Sequence, residues 1–313
     1  MAVGSGKGKA ILFGEHFVVY GRPALAAGIS AETIATVHRT STPGWKLEDL
    51  RPEVPGYKKE KADEQTASID NIIRYMGIDL SEKGIHIQLS GDLVCASGIG
   101  ASAASCVAIA RALNEEFDLN YDDEKINLAA YEGEKGYHGT PSGIDNTAST
   151  FGGLVWYQKP TSSDKPVFEV LKLKRPLNLV IAATGLTSST KAVVDDVRRL
   201  AQSDRSWFDN ILQQYDRLIV QARDALLELD KKRVGKLMNE NHRLLQQLTV
   251  SCPELDTLVD TAIRRGAVGA KLTGTGRGGN MIALTDDEKG AQVVAGALRE
   301  AGATDVWVTS FGV

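Results

Sequence analysis

Along this chain the spacing of hydrophobic and polar positions changes period, and each change marks an element. "KAILFGEHFVVYG" (9–21) and "ALAAGISAETIATVHRT" (24–40) are rich in β-formers and are separated by Gly-Arg-Pro, which predicts two strands around a turn. The polar, proline-rich "STPGWKLEDLRPEVPGYKKEKADEQ" predicts a surface excursion, followed by a short helix near "ASIDNIIRYMG". "IHIQLSGDLVCA" alternates like a strand, "ASCVAIARALNEEF" carries apolar residues at helical spacing, and between them "SGIGASAAS" (97–105) reads as a Gly-rich turn. A further helix is expected from Asp122 to about Tyr137, then the loop "HGTPSGIDNTAST", with a helix beginning over 144–150.

β patterning resumes in "GGLVWYQK" and "FEVLKLKRPLNLVIAAT" on either side of the polar "PTSSDKP", which places a domain boundary between 1–165 and 166–313. Residues 190–248 then show apolar positions at three-to-four spacing with few breakers, a helical stretch. Strands flank "TGTGRGGN", and "DVWVTSF" is the last strand. Strands mixed with helices in both halves imply an α/β (α+β) protein in two parts.

Size and charge narrow the possibilities. With 313 residues, 42% hydrophobic and 24% charged, the chain has the composition of a soluble globular protein large enough for two cores. A net charge of -4 gives no reason to expect a nucleic acid as partner, so any phosphate site must be built locally. Three cysteines fit neither a metal spacing nor a paired disulfide framework, which suits a reducing, cytoplasmic setting. No run of about 18 apolar residues and no signal-peptide pattern addresses the chain to a membrane.

Two nucleotide-binding look-alikes fail on context. Gly274, Gly276 and Gly279 satisfy G-x-G-x-x-G, yet the strand-like "NMIALTDD" follows where a Rossmann turn must open a helix, so a hairpin is expected. "GSGKGKA" lacks the spacing of a Walker A loop and is followed by strand residues. "SGIGASAAS" is different, because it leads into a helix. There, free backbone N–H groups gather at the positive end of the helix dipole and suit a phosphate.

Taken together and in order, "GKAILFGEHFVVYG" (8–21), "SGIGASAAS", "HGTPSGIDNTASTFGG" and "KLTGTGRGGN" (271–280) resemble the GHMP small-molecule kinases over nearly the whole chain. The resemblance implies a two-domain fold, the N-terminal part like ribosomal protein S5 domain 2 and the C-terminal part ferredoxin-like, with the active site between them. It implies ATP as co-substrate, Mg²⁺ as cofactor, small-molecule partners and a homodimer. "GEHFVVYG" and "PSGIDNTAST" are most similar to the members that act on mevalonate, which implies phosphorylation of its 5-hydroxyl in isoprenoid precursor synthesis. A phosphomevalonate, homoserine or sugar kinase is the alternative.

Phosphoryl transfer needs held phosphates, neutralised charge and a group that orients or deprotonates the attacking hydroxyl. The nucleotide phosphates are assigned to Ser97, Gly98, Ile99, Gly100, Ala101, Ser102 and Ala103 of the loop, mainly through backbone N–H groups. The Ser102 hydroxyl is a hard oxygen donor for Mg²⁺, though a serine there otherwise caps its helix. By resemblance to the pattern "EGE…HG.PSG.DN", Glu134 is the Mg²⁺ carboxylate; Glu132 competes with it on chemistry alone. Asp145 is the expected general base, and Lys9 resembles the lysine that pairs with it. Glu15 and His16 match residues lining the acceptor pocket, and Ser142, Thr190 and Gly276 match further substrate positions. His242 also resembles the pattern, but its helical context favours packing, or a polar contact between helices. Three positions depart from the family: Gly6-Lys7-Gly8-Lys9 replaces Ala-Pro-Gly-Lys, Ala101 replaces a serine, and Arg277 stands where glycine is frequent, so that it could contact phosphate, the acceptor or only water.

Overall fold

The computed structural model describes residues 1–53, 56–95, 98–159 and 166–312. The chain divides into two compact units, Met1–Lys9 with Gly28–Gly152 and Ala10–Ala27 with Gly153–Val313. That division crosses two strands, not the "PTSSDKP" link, whose residues 160–165 lie outside the described residues.

The first unit is built on strands β1 (Ala2–Phe13) and β2 (Ala24–Thr40), which pair with each other. β3 (Trp45–Asp49) follows, then a four-residue helix α1 (Tyr57–Glu60), α2 (Ala62–Tyr75) and β4 (Gly84–Gly91). β4 runs antiparallel to β2 with Val37 opposite Ile87, and parallel to β3 with Leu47 opposite Ile87. The expected surface excursion is therefore part of the fold. Its Trp45 and Leu47 pack against the core, and Arg51 is buried.

Helices α3 (Ala101–Glu116), α4 (Asp123–His138) and α5 (Ile144–Phe151) complete this unit. α3 and α4 close over Val37, Ile72, Ile87, Val107, Ile109 and Leu113, a core with little contact with water. The alternating glycines of "GSGKG" have a packing cause. A Cβ on Gly4 would overlap the Ala108 carbonyl and one on Gly6 the Ala104 carbonyl, so β1 lies with its backbone directly on α3.

Gly14 (φ 119) and His16 (φ 62) end β1 abruptly, and "FVVY" forms a 3-10 turn, Phe17–Tyr20, in place of the continued strand its β-branched residues predict. The Phe17 ring stacks on Tyr215 at 3.9 Å, a tertiary contact that outweighs local propensity. In the second unit β5 (Leu154–Gln158) pairs with Ala24–Ala27 of β2 and with β6 (Val167–Leu171). β7 (Leu177–Ala183) precedes the helical stretch, which is α6 (Thr190–Ser203), α7 (Arg205–Leu227) and α8 (Lys231–Gln247); a further helix, α9 (Pro253–Arg264), follows beyond its expected end at 248. β8 (Gly269–Thr273) and β9 (Asn280–Thr285) form the expected hairpin around "GTGRGG". α10 (Glu288–Glu300) and β10 (Asp305–Phe311) close the chain, giving the strand order β10-β7-β9-β8 against which α8, α9 and α10 pack. Among the described residues no helix is long and apolar enough to cross a membrane.

Candidate active site

In the first unit the loop before α3 meets β1. Gly98 (φ 71) and Gly100 (φ 82) take left-handed conformations that glycine adopts without a Cβ clash, and a Cβ on Gly100 would strike the Lys9 side chain. The Lys9 backbone N–H donates to the Ile99 carbonyl at 2.7 Å, which ties the loop to the strand. Helix α3 then opens at Ala101 with no side-chain cap, leaving the amides of its first turn, Ala101 to Ala103, without intrahelical partners. Ile99 and the Ala103 side chain are buried, while Ser97 lies outside the described residues. Arg51 anchors the start of α3 from behind: it donates to the Ala101 carbonyl at 3.3 Å and to the Ser105 hydroxyl, and holds Asp49 through Nη2 at 2.6 Å.

Four predicted side chains converge here. Lys9 Nζ lies 3.3 Å from Asp145 Oδ1, the lysine buried and the aspartate about one-third exposed. Asp145 sits in the first turn of α5, after Gly143 at φ 90. Glu134, 1% exposed, shares a hydrogen bond with the Ser102 hydroxyl, and its Oε1 is 3.9 Å from the Cys106 thiol. Burial pushes the Glu134 pKa up to about 7, and the negative charge of Asp145 adds to the rise, against the opposing Ser102 bond and Lys9. Glu132 instead pairs with Lys135 at 2.6 Å, partly exposed. Ser142 is exposed, and its hydroxyl accepts from the Ile144 N–H at 3.4 Å, a turn contact. The Ser102 hydroxyl is thus engaged with a carboxylate, where a cap would have been its default role. Among the described residues no group of three or more His, Cys, Asp or Glu could hold a metal ion; the oxygen groups in contact at this point are those of Ser102 and Glu134.

A second cluster lies within the other unit. Glu15 is 2% exposed and its carboxylate forms an ion pair with Lys271, both side chains fully shielded from water. Lys271 also donates to the Leu272 carbonyl at 2.6 Å, and burial lowers its pKa against the pull of Glu15. His16 donates from Nε2 to the Thr275 carbonyl at 2.7 Å, and burial lowers its pKa, favouring the neutral ring. Its Nδ1 and the second oxygen of Glu15, Oε2, are buried without a hydrogen-bond partner. Both are acceptors on adjacent residues, and a buried acceptor without a donor needs a reason. The Thr190 hydroxyl bonds that of Thr275 at 2.7 Å, and the Gly276 carbonyl accepts from the Ser188 hydroxyl at 2.6 Å. His242 donates to Asp256 at 3.1 Å and accepts from the Leu272 N–H, a link between α8, α9 and β8, which is the polar-contact alternative of the two expected for it.

Arg277 is held by groups of the chain itself. Its guanidinium is taken up by Asp196 and Thr249. The residue that sequence reasoning missed is Lys271, quoted within "KLTGTGRGGN" without a role. Its signal was a lysine inside the apolar strand "VGAKLT", where a charge demands a buried partner.

A Gly-rich loop opening a helix, a lysine–aspartate pair tied to that loop and a buried carboxylate beside a helix-start serine are the parts that phosphoryl transfer to a small molecule requires. The chain matches the GHMP kinases N terminal domain over residues 66–153 and the GHMP kinases C terminal domain over 222–304, and it belongs to the GHMP kinase family. Mevalonate kinases are among the relatives it follows over nearly the whole chain. It is 34% identical to the mevalonate kinase of Thermococcus sibiricus, over 95% of this chain and 92% of that one. Among solved structures it resembles L. major mevalonate kinase in complex with R-mevalonate, with a TM-score of 0.94, 42% identity and coverage of 99% and 96%. The Methanococcus jannaschii mevalonate kinase gives a TM-score of 0.77 at 25% identity, with 99% and 98% covered.

Proposed function

We propose that this chain transfers the γ-phosphoryl group of ATP to the 5-hydroxyl of mevalonate, giving 5-phosphomevalonate and ADP. The observation that carries the reading is the Lys9–Asp145 pair, fastened to the Gly-rich loop through the Lys9 N–H. Backbone N–H groups of the loop and the first turn of α3 hold phosphate oxygens. Asp145 takes the hydroxyl proton as the oxygen–phosphorus bond forms and the bond to the β-phosphate oxygen breaks, releasing ADP. The Lys9 ammonium offsets the negative charge spread over the transferred group.

Ser102 and Glu134 fit Mg²⁺. They are hard oxygen donors already in contact, and a carboxyl group driven up to about 7 by burial is one whose ionised form Lys9 compensates only in part. The chemistry Mg²⁺ supplies when bound is neutralisation of phosphate charge. Glu15, His16, Ser142, Thr190 and Gly276 are assigned to acceptor recognition. Support comes from Glu15 Oε2 and His16 Nδ1, which can accept from hydroxyl groups of the ligand. Free thiols at Cys95, Cys106 and Cys252 support a reducing, cytoplasmic setting.

The test is ADP release over a panel of mevalonate, phosphomevalonate, galactose and homoserine, with ATP and Mg²⁺ present. Turnover is expected on mevalonate. Turnover on another member of the panel and not on mevalonate removes the acceptor assignment.

A further inference from the structure

The β8–β9 loop contains four glycines at positive φ, Gly274, Gly276, Gly278 and Gly279, so its backbone has little stiffness of its own. Arg277 lies among them at φ 51, a conformation that a residue with a side chain holds only when its surroundings enforce it. Its backbone N–H donates to the Val250 carbonyl at 2.7 Å, Nε to the Thr249 carbonyl at 3.0 Å and Nη2 to the Thr249 hydroxyl at 3.3 Å. Nη1 forms an ion pair with Asp196 of α6. One side chain therefore fastens the loop both to α6 and to the α8–α9 connection.

The same loop holds the groups assigned to the acceptor. Two residues before Arg277, the Thr275 carbonyl takes the His16 Nε2–H and the Thr275 hydroxyl bonds Thr190 at the start of α6. We propose that Arg277 is a positioning residue: its clasp on Asp196 and Thr249 sets the place of Thr275, and through it the orientation of His16 and Thr190 toward the acceptor. This inference rests on the assignment of His16 and Thr190 to acceptor recognition. The clasp borders a cleft of about 390 Å³ lined by Asp196, Arg199, Leu200, Ser203, Thr249 and Arg277 itself, so its ion pair meets solvent and dissolved salt weakens it.

R277G is the informative variant, because glycine adopts the left-handed φ without strain and the substitution removes the side chain alone. The acceptor KM is expected to rise roughly tenfold while the KM for ATP changes less than about twofold. D196N should move the acceptor KM in the same direction and add little in the R277G background, as expected for two groups in one interaction. R277K, which keeps the charge but loses the planar fork, should fall between wild type and R277G. An unchanged acceptor KM, an equal rise in both KM values, or independent additive effects would overturn the proposal. Should the wild-type chain fail to phosphorylate mevalonate, the substrate reading falls by itself, and hydrogen exchange of the 274–279 amides decides the clasp. Exchange roughly tenfold faster in R277G supports it, and unchanged protection overturns it.

Discussion

Glu134 concentrates the electrostatics of the first cluster in one group. Its pKa of about 7 lies above the ordinary 4.5, so between those values the folded chain binds a proton that the unfolded chain has released. Stability therefore falls as pH rises through this window, by up to roughly 3 kcal/mol once the carboxylate is ionised. At pH 8 and without Mg²⁺, E134Q is expected to melt at a higher temperature than wild type, with little difference at pH 5. Added Mg²⁺ should raise the wild-type Tm more at pH 8 than at pH 5, and should lose this effect in E134Q. Thermal melts over the two pH values check both statements, and an E134Q protein no more stable at pH 8 would contradict them. Sequence motifs named Lys9, Ser102, Asp145 and Glu134, but chemistry alone left Glu132 as a rival. Helix phase separates the two: two residues apart on α4, Glu132 reaches Lys135 at the surface while Glu134 turns inward to Ser102. Lys271 stayed hidden because its partner Glu15 lies far away in sequence, and no local pattern announces such a pair.

At the level of elements, periodicity located α3, α4, the helical stretch and the β8–β9 hairpin, since each has a clear repeat or a flanking glycine signal. It failed where tertiary contacts override local preference. "FVVY" is β-branched yet turns, because Gly14 and His16 redirect the chain and Phe17 stacks on Tyr215. "WKLED" sits in a polar, proline-rich segment yet adds a parallel strand beside β4. "GSGKG", set aside from its spacing as a Walker A look-alike, is strand, and its glycines bring β1 onto α3. G6A is expected to destabilise by about 1–3 kcal/mol or more, since the new methyl meets the Ala104 carbonyl of a helix that cannot yield. G296A should have the opposite sign, about 0.5–1 kcal/mol of stabilisation, because Gly296 lies within α10 and a Cβ there meets nothing. Urea midpoints of the two variants test the pair together; destabilisation by G296A, or none by G6A, would contradict this account of the packing.

For the whole molecule, composition and strand–helix alternation gave the α/β class and the two-part organisation. The polar link suggested a simple cut, but 10–27 belongs with the later residues because Ala24–Ala27 pair with β5 and Tyr215 donates to the Pro23 carbonyl at 2.7 Å. Such long-range pairing leaves no mark on composition. A fragment spanning 166–313 lacks both that strand segment and Phe17, and it is expected to show weak near-UV dichroism and dye binding typical of a loosely packed state. A sharp, cooperative urea transition of that fragment would contradict the expectation.

The same interchange imposes an order on synthesis. The Tyr215 ring that stacks on Phe17 is made roughly 200 residues after it, on the order of 10–40 s later at ~5–20 residues/s. Throughout that interval the nascent chain carries an apolar hairpin tip without its later-made neighbours, a natural stretch for a chaperone to hold.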